Sequence, residues 1–304
     1  MPKALPSRRR SDPSTALEGT RSRGRKARPR VEALENRIAL AHNITIASGG
    51  LATIPSGATN FADTGDYTID PGAINNVATG TLTLRANNDI VLNGELFTTA
   101  GVRLTMLAGR NLTLNAGINF FQAPLELRAN AATALGVNQA NRDAGDASLT
   151  INSGVINASS SNSATLIGDV GDQAGANAHP NAPVRLLGTS QVLNSTLTLW
   201  GRGNASNRAG IFVASGAKVA ASNALTVTLS GAAFNGTQAF NPAIDIRGAI
   251  TAVDGGITIN GTGAGTGSAN YGVHVLGTSA KVQTTGRGPI TINGTGGGGT
   301  GSFG

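Results

Sequence analysis

The chain has 304 residues, 43 of them glycine, with 39% hydrophobic and 4% aromatic content, no cysteine and a formal net charge of +7. That hydrophobic fraction is enough to bury a core, which excludes a chain disordered from end to end. The missing cysteine excludes disulfides, thiolate metal sites and thiol nucleophiles, and no run of 18 apolar residues exists to cross a membrane as a helix.

The excess charge sits at the start. Residues 1–37 hold 11 Lys/Arg against 4 Asp/Glu, and the remaining residues hold 12 of each. The tract RSRGRKARPR, Arg21 to Arg30, lacks apolar periodicity, and with Pro2, Pro6, Pro13 and Pro29 around it predicts a disordered basic leader over residues 1–41. A nucleic-acid arm is one reading of such a run. No aromatic residue is interleaved for base stacking and no recognition fold follows, so the expectation is no nucleic-acid partner. The next segment, RPRVEALENRIALA, places Leu34, Glu35, Arg37 and Leu40 in the pattern of the LEPR-x-LL motif. It resembles the short N-terminal targeting motif of secreted and surface proteins of planctomycete-type bacteria, with Asn36 where that motif often has proline. The resemblance implies export to the cell surface or extracellular space. Read without it, VEALENRIAL is a two-turn helix with Val31, Leu34 and Ile38 on one face.

From His42 the pattern becomes one of strands. TLTLRA at Thr81, DIVLNG at Asp89, VRLTML at Val102, NLTLNAG at Asn111, LELRA at Leu125 and SLTINSG at Ser148 alternate with period two and close at turn residues. TLTLWG at Thr196, LTVTLSG at Leu225, AIDIRG at Ala243, GITING at Gly256 and PITING at Pro289 continue it, and no helix competes after residue 45. Leu82, Leu104, Leu125 and Leu149 are 22, 21 and 24 residues apart, and Leu197, Leu225, Ile257 and Ile290 are 28, 32 and 33 apart. Such spacing predicts an all-β fold over residues 42–304, a right-handed parallel β-helix (β-solenoid) of coils with two or three strands each; a β-sandwich is the alternative. Leu112, Leu114, Leu225, Val227, Ile257 and Ile259 are assigned to inward rows, and the outward threonines are read as ordinary strand surface. The units NLTLNAG, LTVTLSG and ITAVDGGITING resemble the rungs of filamentous-haemagglutinin-like and autotransporter passenger proteins. That resemblance implies a non-enzymatic, adhesin-like or structural exoprotein with surface glycans or other cell-surface components as partners.

Chemistry-bearing motifs are sparse. His42, His179 and His274 lie far apart in sequence, no P-loop or G-x-S-x-G elbow occurs, and no catalytic residue or cofactor is assigned. His274, alternating with Val273 and Val275, is expected to face solvent. Asp143 with Asp146, and Asp169 with Asp172, stand three apart in glycine-rich loops; they are calcium candidates by chemistry and turn formers by composition. They would also line the groove of a carbohydrate-active β-helix enzyme, the alternative function. Trp200, Tyr67 and Tyr271 are scattered along the chain, which disfavours a sugar-stacking groove. The sequence ITINGTG recurs at Ile257 and Ile290, and the second copy stops at GTGSFG without a polar cap. The chain therefore reads as the amino-terminal part of a longer protein with a carboxyl-terminal edge open to self-association.

Overall fold

The computed structural model describes residues 42–132, 135–138, 142–159, 163–168, 181–205, 209–223 and 225–304. The targeting residues Leu34, Glu35, Arg37 and Leu40, together with Asp169, Asp172 and His179, lie outside them. In chain order the elements are β1 (Ile44–Leu51), β2 (Tyr67–Ile69), α1 (Pro71–Asn75), β3 (Gly80–Ala86), β4 (Ile90–Leu92), β5 (Leu96–Phe97), β6 (Val102–Ala108), β7 (Leu112–Leu114) and β8 (Ile118–Phe121). There follow β9 (Leu125–Arg128), β10 (Leu149–Asn152), β11 (Val155–Ser159), β12 (Ser163–Ile167), β13 (Val184–Leu187), β14 (Gln191–Leu193), β15 (Thr196–Arg202) and β16 (Ile211–Val213). The last are β17 (Lys218–Ala221), β18 (Val227–Ala232), β19 (Ile244–Ile246), β20 (Ala249–Ala252), β21 (Ile257–Thr262), β22 (Val273–Val275), β23 (Lys281–Thr284) and β24 (Ile290–Thr295).

From β3 onward every third strand joins the same sheet. Wall B stacks β3, β6, β9, β12, β15, β18, β21 and β24; wall A stacks β4, β7, β10, β13, β16, β19 and β22 onto β1 and β2; wall C stacks β5, β8, β11, β14, β17, β20 and β23. All pairings are parallel, as in Thr198↔Thr228 and Thr228↔Thr258, so the chain is a three-walled parallel β-helix. The driving force is the alternation itself. Leu, Ile and Val at every second position cannot be covered within one coil, and stacking at about 4.8 Å per rung lines them into a continuous interior. Leu114, Ile151, Leu186, Val213 and Ile246, consecutive rungs of wall A, are all fully buried.

Two details differ from the spacing argument. Leu149 is not the rung mate of Leu125: it pairs with Leu112 and Val184 in wall A, and Leu125 pairs with Ala164, 39 residues on. Leu225 stops short of β18 and is only partly buried, since Val227 pairs with Leu197. Leu112, Leu114, Val227, Ile257 and Ile259 are all inward and fully buried, as expected. The steps along wall B are thus 22, 21, 39, 33, 30, 30 and 33 residues.

The recurring glycine of LWG, LSG and ING has a packing reason. Gly201, Gly231, Gly261 and Gly294 form one inward column at the end of wall B. A Cβ on Gly231 would lie 2.6 Å from the carbonyl oxygen of Ala243, where the chain enters wall A. Only glycine allows the backbone to close that corner.

The amino-terminal end carries a lid that the strand pattern did not reveal. β2 pairs outside β1 along the edge of wall A. A 3-10 turn at Ser56–Thr59 abuts β3, with Arg85 Nη1 donating to the Thr59 carbonyl at 2.9 Å. α1 meets β5 through Asn75 Oδ1, which accepts from Phe97 N–H at 2.9 Å. Asp70 caps α1 by accepting from Gly72 N–H at 2.8 Å, with Pro71 at its first position. Each wall thus begins under a covering element, the usual form of a terminal cap. At the other end β24 is exposed along its length, and Ile290 and Ile292 stand 42% and 47% exposed. The glycine-rich tail is ordered on the coil below: Gly298 N–H donates to Gly265 O at 2.9 Å and Gly272 N–H to Phe303 O at 2.9 Å.

Candidate functional site

The three corners of the coil are unequal. Connections from wall A to wall C and from wall C to wall B take two to five residues in every coil. Those from wall B to wall A take three in the first two coils and then 20, 16, 8, 11 and 10. Every long connection from β9 onward therefore leaves the same corner. Insertions that leave the core rungs untouched are tolerated there, and repeat proteins commonly bind through the face that carries them. Asp143 and Asp146 belong to the 129–148 connection at this corner, whereas Asp169 and Asp172 lie outside the described residues.

The calcium reading of Asp143 finds a cation already beside it. Its carboxylate lies 3.8 Å from Arg110 Nη1, and Asp143 N–H donates to Asn88 Oδ1 at 2.7 Å. Arg110 in turn grips Asp89 through Nε (2.9 Å) and Nη2 (2.7 Å), and that hydrogen bond raises its pKa. Arg142, 1% exposed, has its pKa lowered to about 10, chiefly by burial and secondly by the charge of Arg110. Among the described residues no three His, Asp or Glu side chains converge in a metal-binding arrangement.

A second cluster, which no local sequence motif marks, lies where this corner meets the outer face of wall A. The central outward column of that wall runs Thr45, Val91, Thr113, Thr150 and then Arg185, Phe212, Asp245 and His274. Four rungs of small or apolar side chains give way to charged and aromatic ones. Asp245 is 3% exposed although it points outward, because its neighbours roof it. Its Oδ2 accepts from Arg247 Nε at 3.0 Å and faces Nη2 at 2.9 Å; its Oδ1 lies 3.0 Å from His274 Nδ1. Arg247 lies 5.4 Å over the ring of Phe212, a cation–π contact, and keeps 42% of its side chain exposed. His274 stacks on Tyr271 at 5.1 Å, and Phe240 meets both rings edge-on at 5.1 and 6.1 Å. His274 does face outward, but it is 17% exposed and bonded, not free in solvent.

Phe240 holds φ 58°, and its rung mates Ala269 and Gly301 hold φ 57° and 67°. A bulky residue is uncommon in this left-handed conformation. Alanine serves one rung on and glycine two, so the ring's place against Tyr271 and His274 is what Phe240 contributes. Residues 212, 245 and 274 are one coil apart, a distance in sequence that no local motif spans. No family model, curated protein or solved structure matches this chain, and the functional reading rests on its own residues.

Proposed function

We propose that this chain is an exported, non-enzymatic β-helix protein of the cell surface or extracellular space, structural or adhesin-like, that binds through the corner between walls B and A. The observation that carries the reading is the segregation of the long connections to one corner of an otherwise uniform rod. A continuous apolar interior makes the rod self-supporting without disulfides, and one elaborated face gives it a contact surface with repeating geometry. The basic leader with its LEPR-like motif supports export. Cell fractionation with amino-terminal sequencing tests it: the reading requires the chain at the surface or in the medium with the leader removed or segregated. Intact Met1–Arg37 on a cytosolic, nucleic-acid-bound protein would overturn it, and release of reducing ends from a polysaccharide by the purified chain would overturn its non-enzymatic part.

A further inference from the structure

The outward column of wall A contains a cation with no counterion among the described residues. Arg185 is half-buried on the rung between Thr150 and Phe212, and among the described residues its guanidinium makes no ion pair or side-chain hydrogen bond. Burial lowers its pKa. Desolvating a cation without a partner is unfavourable and is offset when an anion docks. Two rungs further on, about 9.5 Å along the axis, Asp245 anchors Arg247, which leans back across Phe212 toward Arg185. Asp245 spends both oxygens on Arg247 and His274, so it clamps these groups and leaves the outer edge of the Arg247 guanidinium to solvent.

From this geometry we infer that the outer face of wall A, at Arg185, Phe212 and Arg247, is a binding site for an acidic polysaccharide of the uronate type, its chain running along the solenoid axis. Planar guanidinium groups match carboxylates in bidentate geometry, and Arg247 is held in place before the ligand arrives. Phe212 gives an apolar surface between two cations, against which a sugar ring packs while the carboxylates on one side of an extended polyuronate, those of alternate residues, meet the guanidinium groups. A flat parallel sheet favours a stiff linear ligand over a folded one. The Thr-lined rungs before Arg185 offer hydroxyl groups to the same chain. This inference goes beyond the surface-protein reading without depending on export, because it is a property of the purified chain.

Calorimetric titration of the full chain with polygalacturonate, a neutral galactan of matched length and poly-glutamate tests it, with circular dichroism as the folding control. Polygalacturonate is expected to bind at least tenfold more tightly than either comparison polymer, with affinity falling as salt rises. Arg185→Gln is expected to weaken it about tenfold or more without lowering the melting temperature, since the side chain has no partner to lose among the described residues. Arg185→Lys, which keeps charge but not the bidentate fork, is expected to fall between; Arg103→Gln, on wall B, is expected to change nothing. Equal binding of the neutral galactan, equal binding of poly-glutamate, or undiminished binding by Arg185→Gln would each overturn the assignment.

Discussion

Replacing Leu229 by alanine probes the stacking that builds this fold. Leu229 is fully buried on β18 between Leu199 and Ile259 of the adjoining rungs. The substitution removes three carbons, about 2.4 kcal/mol at ~0.8 kcal/mol each. Coils above and below are held by their own backbone ladders and cannot collapse fully into the space, so a cavity cost adds to this and the total is about 3–5 kcal/mol. Thr228, its neighbour in sequence, points outward, and Thr228→Ala is expected to stay within about 0.5 kcal/mol. Leu225, only partly buried before the strand begins, is expected to fall between them at about 1 kcal/mol. Urea unfolding followed by circular dichroism measures all three. Equal costs at 228 and 229, or a Leu225 cost matching that of Leu229, would refute the register.

His42 is buried, with neither ring nitrogen hydrogen-bonded, and its pKa is lowered first by burial, against the opposing charges of Asp63 and Asp66. The unfolded chain therefore takes up a proton more readily: stability is complete above about pH 6.5 and falls as pH drops through that value. His42→Phe is expected to flatten the fall in melting temperature between pH 7 and 5. Asn270 is fully buried, donates to Gly267 O at 2.7 Å and accepts from Asn241 N–H at 3.2 Å; Asn270→Ala is expected to cost about 2 kcal/mol in urea unfolding, because both partners lose their bond.

The strands were legible because L-T-L and I-T-I alternation writes one inward row per wall. Which wall each strand joins was not, because Leu112-Thr113-Leu114 in wall A and Leu125-Glu126-Leu127 in wall B carry the same pattern. Leu149 fell into the wrong column for this reason: the 129–148 connection lengthens the coil, and periodicity cannot tell a longer coil from an extra one. The helix of the lid was within reach, since Asp70-Pro71-Gly72 is a capping signal followed by Ala and Ile. It is short enough to hide among turns. The Asp245–His274 pair spans 29 residues and the Phe212–Arg247 contact spans 35, so each becomes visible only once the coil lengths are known. Tyr271, scattered in sequence, lies among Phe240, His274 and Phe303 in space.

The rung register carries everything else, since it alone brings the long connections to one corner and aligns Arg185 with Phe212 and Asp245. The chain has no cysteine, so a pair introduced at chosen positions reports proximity without interference. Glu126 and Thr165 are rung mates on the outside of wall B. Their Cα atoms, one rung apart at about 4.8 Å, lie within the span a disulfide bridges. Glu126→Cys with Thr165→Cys is expected to oxidise to a disulfide in the folded chain, detected by a mobility shift reversed on reduction, whereas Glu126→Cys with Thr150→Cys is expected to remain reduced. Cross-linking of the second pair and not the first would mean that the 24-residue step is a true coil, and would contradict both the three-walled register and the binding face built on it.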